Sequence, residues 1–144
     1  MAVAAAAGEH RLVVDGRDAA PLELADTRRA RRRGLLGRDE IVGALMISPC
    51  RSVHTVGMRF AIDVAHVAAD GTVLRTTTMA PGRVGRPVRR ARRVVEAAAG
   101  SFAAWGLRTG CSVGCSAGGV AGRSVGRSVG RSVGGVAEPG DGHR

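Results

Sequence analysis

The 144-residue chain has no lysine, asparagine, glutamine or tyrosine, and aromatic residues make up only 2% of it. With Phe60, Phe102 and Trp105 as the whole aromatic supply, a platform on which nucleic-acid bases stack is nearly excluded. No apolar run approaches the ~18 residues of a membrane span, because Gly, Pro or Arg cuts every candidate. The opening Met1–Gly8 stretch has no basic residue before its Val/Ala run and Glu9 just after it, which reads as an unstructured leader over 1–9 and not as a signal peptide. Cysteine is scarce and odd in number: Cys50, Cys111 and Cys115 argue for reduced thiols and a cytoplasmic protein. There is no phosphate-cradling glycine loop, no dinucleotide fingerprint and no serine elbow. The residues therefore name no catalytic motif and call for no cofactor.

What is present is arginine. All 22 basic residues are arginine, and the net charge is +10. So uniform a bias, with Ala, Gly and Val plentiful, resembles GC-rich coding, so single arginines weigh little. The summed charge still attracts phosphate and other anions. Two clusters stand out, Arg28–Arg33 and Arg83–Arg93. Five arginines in six helical positions cannot share a face, so the first cluster reads as solvated charge, with weak nonspecific nucleic-acid contact as the alternative. From Gly122 a Gly-Arg-Ser-Val unit repeats every four residues and cannot bury enough surface to order itself. Residues 112–144 are thus expected to form a low-complexity tail, and one domain to span 10–111.

Turn signals divide that domain into short strands. Asp70-Gly71 between two β-rich runs predicts an antiparallel hairpin of Phe60–Val67 with Thr72–Thr78. Leu12–Val14 and Leu22–Leu24 form a second pair, and Gly43–Ile47 and Arg93–Ala97 are two more strands. One helix is expected from an Asp26 or Thr27 cap to Gly34, another from Ser101 to Trp105. The predicted fold is mainly β, a compact sandwich or distorted barrel with one or two short helices, acting as a monomer.

The ordered series Leu22-Glu23-Leu24-Ala25-Asp26-Thr27, Arg33-Gly34-Leu35-Leu36-Gly37-Arg38, Arg51 through Val64, Asp70-Gly71 and Val95-Glu96-Ala97-Ala98-Ala99-Gly100 resembles the DUF192 family, in particular its actinobacterial cytoplasmic branch. The resemblance covers about residues 10–111 and implies a compact β domain with no established activity. The family often has Trp at His54, Asn at Gly57 and Pro at Ala61.

Asp63 is the most informative polar residue. Alternation sends Phe60, Ile62 and Val64 into a core and Asp63 to the other face, where its carboxylate is solvated, paired with an arginine or His54, or at the floor of a cleft. A Cys50–His54 or Ser52–His54 catalytic pair is disfavoured, since extended chain separates those residues by ~13 and ~7 Å. Cys50, His54, Cys111 and Cys115 do not have the tight spacing of structural zinc, and no metal site is expected. The residues point to a small polar or anionic ligand held near His54, Arg59 and Asp63. A hydrolase or transferase using His54 and Asp63 is a further alternative.

Overall fold

The structure, a computed structural model, describes residues 10–117. The expected leader, and all of the expected tail beyond Ala117 with its repeats, lie outside the described residues. Among the described residues there are seven strands: β1 (His10–Val14), β2 (Arg17–Ala25), β3 (Ala44–Ile47), β4 (Ile62–Ala68), β5 (Val73–Met79), β6 (Ala91–Ala98) and β7 (Val113–Ala117). Helices α1 (Arg28–Arg33) and α2 (Ser101–Trp105) complete the fold, which is mainly β. The strands form one mixed sheet in the order β5-β4-β6-β3-β2-β1-β7, parallel only between β2 and β3. Its two edges touch at one corner, where Thr72 bridges Ser112 and the Val73 amide donates to the Cys111 carbonyl at 2.8 Å, but the sheet does not close into a barrel.

Local chemistry accounts for the elements. Asp15 and Gly16 both have positive φ, the two-residue turn that matches strand twist, and Val14 pairs directly with Arg17 across it. The Asp70-Gly71 turn sets the β4–β5 register, Ile62 opposite Met79 through Val67 opposite Val73. Thr27 caps α1 by accepting from the Ala30 amide at 3.1 Å, and Gly34 ends it.

Both faces of the central strands β3, β4 and β6 are covered over most of their length. One core gathers Leu12, Met46, Val67, Val95 and Val113 with Phe102 of α2. The other gathers Leu45, Ile47, Ile62, Val64 and Val94 under Leu35, which follows α1. This corrects the one-sided reading of β4, whose residues Ile62–Val67 are all buried. The sheet also runs past Cys111, where the sequence reading ended the domain. β7 pairs with β1 from Val14–Val113 to His10–Ala117. Only Val113 of β7 is buried, so small exposed residues concealed the strand from periodicity.

Gly43, just before β3, has φ +76, and a Cβ there would lie 3.0 Å from the Pro21 carbonyl carbon and 3.1 Å from its Cδ. Gly43→Ala is expected to destabilise the domain by about 2 kcal/mol or more. Urea unfolding checks this, and an unchanged midpoint would refute the close approach.

Candidate functional site

On the face beneath α1, one row of side chains crosses five strands: Glu23, Leu45, Glu96, Val64 and Thr77, each opposite the next. Glu96 occupies the middle of this row, flanked by Leu45 and Val64, and is only 4% exposed. Burial against these apolar neighbours pushes its pKa up to about 7. Among the described residues it has no hydrogen-bond or ion-pair partner. The chain leaving α1 passes over it, with a Cβ position at Gly34 only 3.8 Å from Glu96 Oε2. Between them lies a cleft of about 70 Å³ lined by Arg31, Arg32, Arg33, Cys50, Ser52, His54 and Glu96 among others.

The cleft is basic at its mouth and acidic at its floor. Arg31 does not reach inward to the carboxylate; it donates to the Asp26 carbonyl at 2.6 Å. The Cys50 thiol donates to the Ser52 carbonyl at 3.1 Å, and burial, with Glu96 nearby, pushes its pKa up. Cys50 is therefore a thiol and not a poised thiolate nucleophile. Glu96 is the group with chemical range: protonated, it donates and accepts; ionised, it only accepts.

Of the residues singled out from the sequence, His54 lines this cleft, exposed and bridged to Val84. Arg59 is exposed and pairs with Asp39 at 2.7 Å. Asp63 is buried, and its partners are neither His54 nor an arginine. Oδ1 accepts from the Thr78 hydroxyl at 2.8 Å, and Oδ2 accepts from the Gly100 and Phe102 amides at 2.9 and 3.1 Å. The expected partners are corrected accordingly: Asp63 sits one face away from Glu96 and ties β4 to β5 and to the start of α2. Neither Arg59 nor Asp63 lines any of the five main cavities. Cys111 lies in the opposite core with its thiol on the Gly106 carbonyl, while Cys115 is exposed 3.8 Å from His10 Nδ1. These cysteines are not gathered with Cys50 and His54.

The DUF192 family model, described as an uncharacterized ACR, matches residues 11–115. The chain belongs to the DUF192 family. Among solved structures, it is similar to a Sinorhizobium meliloti 1021 protein provisionally described as a transcription regulator, with 20% identity and a TM-score of 0.66 over 80% of this chain and 98% of that one. A protein of unknown function from Novosphingobium aromaticivorans DSM 12444 is similar at 19% identity and a TM-score of 0.61, over 74% and 83% of the two chains. At such identities the likeness is one of fold. No curated protein matches the sequence. Among the described residues, no helix of this DUF192 domain is long and apolar enough to cross a membrane.

Sequence reasoning passed over Glu96, although its signal was the one that drew attention to Asp63. A lone carboxylate stands in the apolar run Val94-Val95-Glu96-Ala97-Ala98-Ala99 of a strand. Deciding which of the two was satisfied required the positions of Thr78 and Gly100, residues remote from Asp63 in sequence.

Opposite responses are expected from the two carboxylates. Asp63→Asn keeps the shape but leaves one of three donors without an acceptor, and should cost about 2 kcal/mol at neutral pH. Equal urea midpoints for Asp63→Asn and wild type would refute this anchoring role. Because the folded pKa of Glu96 is raised, its contribution is fully present below its ordinary pKa and is lost as pH rises through about 7. Glu96→Gln should therefore gain stability relative to wild type between pH 5 and 8, by up to about 3 kcal/mol at ~1.4 kcal/mol per pKa unit. The same difference at both pH values would show that Glu96 is not desolvated.

Proposed function

We propose that this DUF192 domain is a binding module for a small polar ligand, preferentially an anionic one, that enters the cleft beneath α1. The observation that carries this reading is Glu96: a carboxyl buried in an apolar row, unpartnered among the described residues and lining a cleft whose mouth is set with arginines. A carboxyl that meets so little water is poorly solvated, and a ligand that enters the cleft and supplies a hydrogen bond compensates it. Arg31–Arg33 attract the negative charge, His54 flanks the entrance, and protonated Glu96 donates to the ligand oxygen. The cleft's volume suits a compact head group of a few heavy atoms. His54 is kept in this site, Glu96 replaces Asp63 as its carboxylate, and Arg59 contributes only to the surrounding field. His54 and Asp63 do not make a hydrolase or transferase pair in this reading, since both Asp63 oxygens are engaged by Thr78 and by the start of α2. We place the protein in the cytoplasm, in keeping with the free thiols of Cys50, Cys111 and Cys115.

A second reading rests on α1 itself. Arg28, Arg29, Arg32 and Arg33 surround a shallow exposed hollow with no acid in it, which suits weak, sequence-insensitive contact with a phosphate backbone. Salt separates the two readings, since backbone binding falls steeply with added salt and the cleft ligand is less sensitive.

The test is an NMR titration of the full chain with acetate and other small carboxylates at pH 6 and pH 8. Wild type should bind at pH 6 and lose affinity about tenfold or more by pH 8, as Glu96 ionises and repels the ligand. Glu96→Gln should bind with little dependence on pH. Binding by wild type that is indifferent to pH, or the same pH response in both proteins, would remove Glu96 from the site.

A further inference from the structure

The sheet face that carries Glu96 holds a second buried polar side chain. His66 on β4 lies opposite Arg75 of β5 and Val94 of β6, is 3% exposed, and has both ring nitrogens unpartnered among the described residues. It lines a separate cavity of about 440 Å³ between the outer part of the sheet and the loop after β5. Arg75, Arg83 and Arg86 line the same cavity, and no carboxylate does. None of these three guanidinium groups has an ion-pair or hydrogen-bond partner among the described residues.

The loop over this cavity is fixed in place. Thr55, itself fully buried, donates through its hydroxyl to the Ala80 carbonyl at 2.6 Å and accepts from the Arg83 amide at 2.9 Å. The Gly85 amide donates to the Val53 carbonyl at 2.8 Å. The bases of Arg83 and Arg86 are thus held before a ligand arrives, which lowers the ordering cost of binding. The walls combine this positive charge with apolar surface from Val53, Met79 and Val84. Three unpaired arginines with no competing acid select a multiply charged oxyanion. A cavity larger than that anion, with an apolar side, has room for an organic body attached to it.

We propose that this cavity is a second binding site, which takes a phosphorylated small molecule, its phosphate held by Arg75, Arg83 and Arg86 and its oxygens supplying the partner that His66 lacks. The site is independent of the Glu96 cleft, with Val53 the one residue lining both. In the free protein, burial and then Arg75 push the His66 pKa down, so the ring is neutral at pH 7 and offers one donor and one acceptor. The charged and titratable groups around it are Arg75 on β5, Arg83 and Arg86 on the loop, and Glu96 on the same face of β6, two residues beyond Val94; His54 adjoins Val53. A bound dianion outweighs the repulsion from the arginines and raises the His66 pKa.

Phenyl phosphate and inorganic phosphate, titrated into the full chain and followed by NMR, test the site, with sulfate, a dianion throughout, for the pH series. The His66 ring and the Val84 and Gly85 amides should shift together and saturate, with phenyl phosphate several-fold tighter than phosphate because its ring meets the apolar wall. The exposed double variant Arg83→Gln/Arg86→Gln should weaken phenyl phosphate binding about tenfold or more, while the charge-matched Arg17→Gln/Arg108→Gln, at a hollow that shares no residue with this cavity, leaves it unchanged. Sulfate should raise the His66 pKa. No saturable shift at His66, an undiminished affinity in Arg83→Gln/Arg86→Gln, or an equal loss in Arg17→Gln/Arg108→Gln would each overturn the proposal. So would tighter binding of a DNA oligonucleotide than of phenyl phosphate through the same arginines, which would mark a polymer-binding surface. Failure of carboxylate binding at Glu96 would leave this result standing, so the two readings fail separately.

Discussion

The central strands β3, β4 and β6, covered on both faces over most of their length, have no side to turn to water, and every polar group placed there must be satisfied from within or by something that binds. Three strand side chains face this condition, Asp63, His66 and Glu96, and a fourth buried polar group, Thr55, lies in the loop between β3 and β4. Thr55 and Asp63 are satisfied by the chain itself. His66 and Glu96 are not hydrogen-bonded among the described residues, and each lines a cavity. Leaving a fully enclosed group such as the His66 ring unpaired costs on the order of 1–3 kcal/mol, against a net domain stability of about 5–15 kcal/mol.

The satisfied pair shows how the same constraint builds the fold. The residue before α2, Gly100, has a left-handed conformation and no side chain with which to cap the helix. Asp63 fills that role from β4, accepting the Gly100 and Phe102 amides, and its other oxygen holds Thr78 directly opposite on β5. One carboxylate thus joins two strands and a helix without a cationic partner. Thr55 does for the loop after β5 what Asp63 does for α2, binding a backbone carbonyl and an amide together. Both anchors act on backbone groups, so they specify geometry that side-chain packing alone would leave loose.

Local signals in the chain carried most of the architecture. Asp70-Gly71 marked one hairpin, and Thr27 and Gly34 bounded α1, because each depends on the backbone preferences of one or two residues. What could not be read locally depended on pairing between distant segments. β7 has a single buried side chain and exists as a strand because β1 offers it an edge across nearly the whole domain. The alternation in β4 was real, but it implied a wet face only if nothing covered the second side; Phe102 and its neighbours do cover it. The site suffered for the same reason. Asp63, Glu96 and His66 are all polar interruptions of apolar strands, and only the neighbours across the sheet distinguish the one that is satisfied from the two that are not.

The arginine excess, which composition alone would assign to coding bias, acquires a meaning from where the acids are. Among the described residues the three salt bridges are Arg11–Asp18, Arg38–Glu23 and Arg59–Asp39, none involving a fully buried pair. Arg31–Arg33 stand at the mouth of the Glu96 cleft and yet none of them pairs with the carboxyl. Bringing a guanidinium into the apolar row between Leu45 and Val64 would strip it of water, and that penalty rivals the attraction it would gain. Raising the Glu96 pKa is the less costly resolution, and it leaves an acid that is near its midpoint at neutral pH facing cations that remain hydrated. A ligand carrying its own negative charge resolves both: its charge stays with the arginines at the mouth, and its oxygen takes the hydrogen of Glu96 at the floor, so no ion has to be buried alone.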